Sequence, residues 1–122
     1  MAIHYKFDVE KDLLKVTATG QDDSIEDVKA YGLAIMKSAM ETNCRKILCN
    51  ESDLHYQLDT FDNFESAKFI SENAPGVAKV AIVCNPRFIA DAAFWETVAV
   101  NRGLQVKFFK TLHDAKEWLI GQ

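Results

Sequence analysis

The sequence lacks a long apolar run, a basic cluster and any CxxC pair of cysteines. Each absence excludes a class. A membrane-spanning helix needs about 20 predominantly apolar residues, and charged residues interrupt every apolar stretch well before that. Binding a nucleic-acid backbone needs a basic patch. Here 14 Lys and Arg are scattered among 18 Asp and Glu, for a formal net charge of −4. Three cysteines without paired spacing speak against a disulfide framework or a zinc knuckle and for a reducing compartment. The opening stretch MAIHYKFDVEKD has no apolar segment of signal-peptide type. The expectation is a cytoplasmic protein without membrane insertion or a nucleic-acid partner.

Breaks are scarce too. With 2 prolines and 5 glycines in 122 residues, no linker, repeat or low-complexity tract is visible. Residues 1–122 therefore read as one domain, long enough to bury its own core. No glycine-rich phosphate loop exists, since Gly20 and Gly103 stand alone. His4, His55 and His113 show no metal-ligand spacing. Neither a metal nor a cofactor is expected. Asp22, Asp23, Glu26 and Asp27 crowd a helix start, where the macrodipole favours carboxylates, and the same reading covers Asp59 and Asp62.

Periodicity supplies the fold. Ile3, Tyr5 and Phe7 alternate with His4, Lys6 and Asp8; after Glu10-Lys11-Asp12, Leu14, Val16 and Ala18 alternate with polar residues. This is a half-buried antiparallel hairpin. Ser24 opens a capping-box-like SIED and a first helix with Ile25, Val28, Gly32, Ile35 and Ala39 on its inner stripe, ending near Asn43. KILC, Lys46 to Cys49, is a short strand followed by a loop. Asp59 or Thr60 caps a second helix, with Phe61, Phe64, Ala67 and Ile70 facing in and Pro75-Gly76 stopping it. VAKVAIVCN reads as a central strand covered on both faces. Pro86 opens a third helix ending at Gly103, QVKFFK is a strand, and Thr111 caps a last helix with Leu112, Ala115, Trp118 and Leu119 inside. The order ββαβαβαβα implies an α/β domain: a mostly parallel five-stranded sheet opened by an antiparallel hairpin, with helices packed on it.

That order resembles the STAS domain of the bacterial anti-sigma factor antagonists, and in detail the small stand-alone SpoIIAA-like proteins. The resemblance is carried by VTATG, KILCNESD, FWETVAVNRG and KFFKTLHDAKEWL and covers essentially the whole chain. It implies a regulatory interaction domain. In the antagonists a Ser at the start of the second helix is phosphorylated, within Asp-Ser followed by a small residue and Gly. The matching stretch is Asp59-Thr60-Phe61-Asp62. Asp59 and Thr60 fit, so Thr60 is a candidate phospho-acceptor. Phe61 and Asp62 depart from the pattern, and Asp62 would repel a phosphate on Thr60. The plainer reading is that the Thr60 hydroxyl caps the helix.

Cys49 and Cys84 end two strands, where ligand crevices of parallel sheets lie. They are candidate reactive thiols, with Cys49–His55–Asp53 an imaginable triad. Triad members usually lie far apart in the chain, and a small buried Cys is a common strand filler. The third helix is apolar almost all round. Its Phe94, Trp95 and Val98 belong either to an interface, most simply that of a homodimer, or to the wall of an apolar pocket shared with Tyr56, Phe61 and Phe64. Two functions follow. One is a non-enzymatic regulatory or protein-interaction domain of STAS type, acting as a homodimer on an unknown protein partner. The alternative is a carrier of a small apolar, lipid-like molecule between the second and third helices, by fold-level analogy with CRAL-TRIO domains.

Overall fold

The computed structural model describes residues 3–74 and 78–121. Their elements follow the expected order: β1 (Ile3–Glu10), β2 (Leu13–Gln21), α1 (Ile25–Thr42), β3 (Lys46–His55), α2 (Thr60–Asn73), β4 (Lys79–Cys84), a 3₁₀ turn (Pro86–Phe88), α3 (Ile89–Asn101), β5 (Gln105–Phe109) and α4 (Leu112–Ile120). The five strands lie in chain order, β1-β2-β3-β4-β5. β1 and β2 pair antiparallel, Ile3 opposite Gly20 and Glu10 opposite Leu13. The later pairs are parallel.

This order sets the layers. Right-handed crossovers that always step in one direction place α1, α2 and α3 on the same face of the sheet. There Leu14, Val16, Ile47, Val80, Ile82 and Val106 meet Ile35, Ala67 and Ala99 in the main core. α4 covers the opposite face, where Ala115 and Leu119 pack on Leu48, Ala81 and Val83. β4 is thus buried on both sides by alternating residues, which accounts for its continuous apolar run.

Helix ends follow side-chain chemistry. Ser24 Oγ accepts the Asp27 N–H at 3.2 Å, and Thr111 Oγ1 accepts that of Asp114 at 3.2 Å. Asn43 closes α1 in the left-handed region at φ 60°. At α2 the cap is Asp59, whose carboxylate accepts the Asp62 N–H at 2.8 Å. Thr60 is the first helical residue, so its hydroxyl is not the cap.

Several expectations are corrected. β3 continues past Cys49 to His55. Pro86 opens a 3₁₀ turn, and α3 begins only at Ile89. On α2 the buried positions are Asn63, Ser66, Ala67, Ile70 and Ser71, while Phe61 is 68% exposed. The inner stripe of α2 thus starts on a polar pair that the apolar period did not reveal. Leu112 is exposed, so α4 packs through Ala115, Leu119 and the half-buried Trp118. Tyr5, Phe7 and Val9 on edge strand β1 are more open than a half-buried strand predicts, with Tyr5 edge-on to Tyr31. The expected Pro75-Gly76 stop lies outside the described residues.

α1 and α2 approach closely at Gly32. A Cβ there would lie 2.5 Å from Ile70 Cδ1 and 2.8 Å from its Cγ1. Gly32→Ala gains about 1 kcal/mol of helix propensity against an overpacking cost of about 1–3 kcal/mol. We expect it to lower stability by about 1 kcal/mol net, and by less in an Ile70→Val background. Urea unfolding of the four proteins of that cycle checks this; equal effects in both backgrounds would mean that Ile70 does not set the helix separation.

Candidate functional site

The strands of one parallel layer end side by side, and β3 carries the first peculiarity. Thr17 pairs with Asn50 and Thr19 with Asp53, so two steps on β2 face three on β3. Such a bulge inverts which side chains face the core. Its local cause is Asn50, whose side-chain oxygen accepts the Ser52 N–H at 3.2 Å and the Ser52 hydroxyl at 2.6 Å. Before the bulge, Cys49 and Glu51 face the α1–α2–α3 layer; after it, Leu54 does, and Asp53 and His55 are exposed.

Glu51 follows the inward alternation of Ile47 and Cys49 into the core and is 7% exposed. A buried carboxylate needs donors. Tyr31 of α1 gives its hydroxyl to one oxygen at 2.8 Å, and Tyr56, just past β3, gives its hydroxyl to the other at 2.6 Å. Burial raises the pKa of Glu51, and these two hydrogen bonds oppose the rise. Burial and the adjacent carboxylate push both phenols well up, which keeps them protonated as donors.

Glu51, Tyr31 and Tyr56 line a cavity of about 90 Å³ between the sheet and α1, α2 and α3. Most of its wall is apolar, with Ile35, Ile70, Ile82, Trp95 and Phe108 among the contributors. Asp22 and Asp91 also line it. Asp22 is buried and accepts the backbone N–H of Gln57, and its own N–H donates to the His55 carbonyl at 3.0 Å. It therefore stitches the β2 end to the segment after β3 rather than serving the dipole of α1. Burial pushes its pKa up to about 6, against hydrogen bonds from the Gln57 and Leu58 backbone. Trp95 donates its indole N–H to Ser66 Oγ at 3.0 Å, and Ser66 in turn donates to the Asn63 carbonyl at 3.1 Å, fastening α3 to α2.

The residues expected from sequence divide into those that share this site and those that do not. Tyr56 and Trp95 line the cavity; Phe61, Phe64, Phe94 and Val98 do not. The pocket is bounded by α1 as well as α2 and α3. Phe64 packs at the core margin with Arg102 over its ring at 5.2 Å, and Val98 is buried. Phe94 and Val100 leave α3 partly exposed. Cys49 also lines the cavity, but burial pushes its thiol well up, and Cys84, buried at the end of β4, is pushed up to about 11. A nucleophilic Cys needs the opposite shift. His55 is exposed and stacks edge-on to Phe88 at 5.5 Å, on the far side of the bulge from Cys49. Sequence reasoning missed Glu51 and Tyr31. The available signal was an acidic residue two positions after Cys49, on the core side of a strand.

The raised pKa of Asp22 fixes the sign of a pH effect. Between its unfolded value near 3.8 and its folded value of about 6, the native state holds the proton more tightly, so its contribution to stability falls as pH rises. Asp22→Asn keeps an acceptor for Gln57 without the charge. Its stability relative to the parent should therefore rise from pH 4 to pH 7, read as urea midpoints; a constant difference would mean that Asp22 titrates normally.

No protein-family model matches the chain, and no curated protein does. Solved structures do. The chain is similar to an anti-sigma factor antagonist from Mycobacterium paratuberculosis, with TM-score 0.65 and 15% identity, covering 97% of this chain and 94% of that one. It is also similar to a DUF3478-family protein with a SpoIIAA-like fold from Shewanella loihica, with TM-score 0.53 and 18% identity, again covering 97% and 94%. Sheet order, the opening hairpin and helix placement agree with that likeness over nearly the full chain: this protein has the SpoIIAA-like fold.

Proposed function

We propose that the protein is a non-enzymatic regulatory domain of STAS type that acts by binding a protein partner through the start of α2. The observation that carries this reading is Phe61. It is a large aromatic side chain, 68% exposed, immediately after Asp59 and Thr60. This is where the resembled antagonists carry their phosphorylated Ser. Because Asp59 already caps the helix, the Thr60 hydroxyl is free of that duty. A phosphate there would stand beside Asp59 and Asp62, and like-charge repulsion would oppose any acidic partner surface. The partly exposed Phe94 and Val100 of α3 support a homodimer across a two-fold axis. The upward-shifted thiols of Cys49 and Cys84 support the non-enzymatic part.

A second reading rests on the cavity. An apolar space with a few buried, hydrogen-bonded polar groups in its wall is the usual composition of a small-molecule site, which favours a carrier of a small apolar molecule.

The partner reading is tested by affinity capture from the native cell extract with the parent, Phe61→Glu, Thr60→Asp and, as control, Met40→Glu, an exposed position elsewhere. A protein held by the parent and by Met40→Glu should be lost from the two α2 variants. Identical capture by all four would remove the start of α2 from the function. Native mass spectrometry should show a dimer that Phe94→Glu converts to monomer; a monomeric parent at tens of micromolar would end the dimer.

A further inference from the structure

The cavity has a chemical bias that its apolar wall conceals. Of the described residues, three carboxylates line it, Asp22, Glu51 and Asp91, and no Lys, Arg or His does. Among the described residues they do not converge into a group able to hold a metal ion. Glu51 is buried, and its two hydrogen bonds come from neutral phenols rather than from a cation. Each of its oxygens takes one of those bonds, and a carboxylate oxygen accepts about two. One acceptor site per oxygen therefore remains beside an apolar space. A carboxylate in such a setting is most stabilised by a partner that carries positive charge and hydrogen-bond donors together.

The geometry points to a small aliphatic amine as the ligand of this cavity, its ammonium group on Glu51 and its hydrocarbon part against Ile35, Ile70, Ile82 and Trp95. The inference rests on the carrier reading and names the ligand class that reading leaves open. The phenols of Tyr31 and Tyr56 hold the carboxylate in place, and Asp22 and Asp91 add negative potential to the same wall. Fatty acids and other anions are disfavoured, because they would bring a like charge to Glu51 without a cation in the lining. Size sets the chain length. At about 90 Å³ the space is smaller than the engineered cavity of about 150 Å³ that admits benzene, so a short chain, of about four carbons at most, is the size to probe.

Three probes of one shape and different head groups test this on the intact protein: butylamine, 1-butanol and butyrate, titrated at pH 7.5 with amide and aromatic NMR shifts as the readout. Butylamine should shift the Tyr31 and Tyr56 ring signals and bind at least tenfold more tightly than 1-butanol, with butyrate weakest. Glu51→Gln, if folded by its amide spectrum, should lose the amine preference and keep 1-butanol. Equal binding of amine and alcohol, or tighter binding of butyrate, would overturn the amine assignment while leaving a carrier of apolar molecules. If none of the three probes shifts a cavity residue at tens of millimolar, both the assignment and the carrier reading fall. The parent protein alone decides among these outcomes, so a misfolded Glu51 variant does not leave the question open.

Discussion

The need of one buried carboxylate organises this molecule. Glu51 lies on a strand whose neighbours on the same face are apolar, and without donors its burial would cost several kcal/mol. Tyr31 reaches it from α1, and Tyr56 reaches it from the segment between β3 and α2. The first helix and the entry to the second are thus tied to the central sheet by polar contacts inside the hydrophobic layer. A fully satisfied polar network of this kind specifies one arrangement where greasy packing alone would tolerate several. The cavity follows from it. Two tyrosines that spend their hydroxyls on Glu51 cannot fill the space between α1, α2 and the sheet as aliphatic chains would.

Small residues set the other boundary of that space. Gly32 lets α1 settle against Ile70 of α2, and Ala92 and Ala99 let α3 lie close to the sheet and its neighbour. Ser66, completely buried, takes the Trp95 indole hydrogen and so joins α2 to α3. Close helix contacts at these points leave the void between them, bounded by large side chains that cannot collapse into it.

The architecture was legible because its signals are local and redundant. Period-two alternation gave the hairpin, the continuous apolar run gave β4, and Ser24, Asn43 and Thr111 marked helix ends that their hydrogen bonds now explain. The site was less legible, for a specific reason. The Asn50–Ser52 hydrogen bonds create a bulge, and a single inserted residue reverses the facing of everything after it. Reading residues 50–55 as a loop hid both the continuation of β3 and the burial of Glu51. Phe61 misled in the opposite direction. Its hydrophobicity suggested an inner position, whereas Asn63 and Ser66 occupy the inner turn of α2. Asp22, grouped with three acidic neighbours on composition, turned out to be a buried tether that only the long-range pairing of β2 with β3 brings to Gln57.

The strict chain order of the strands bears on how the chain acquires this structure. Every strand pairs with the one next to it in sequence, and each parallel pair is separated by one helix and no other strand. Closing each pairing therefore encloses only one crossover, so the entropic cost is added in small equal steps rather than in one long-range closure. Assembly can proceed outward from the β1–β2 hairpin as successive units emerge during synthesis. The face covered by α4 behaves differently. Leu48, Ala81 and Val83 must wait for the last helix. A nascent or truncated chain lacking α4 would hold a paired sheet with one apolar side bare, the form in which this protein is most exposed to aggregation and to the attention of chaperones.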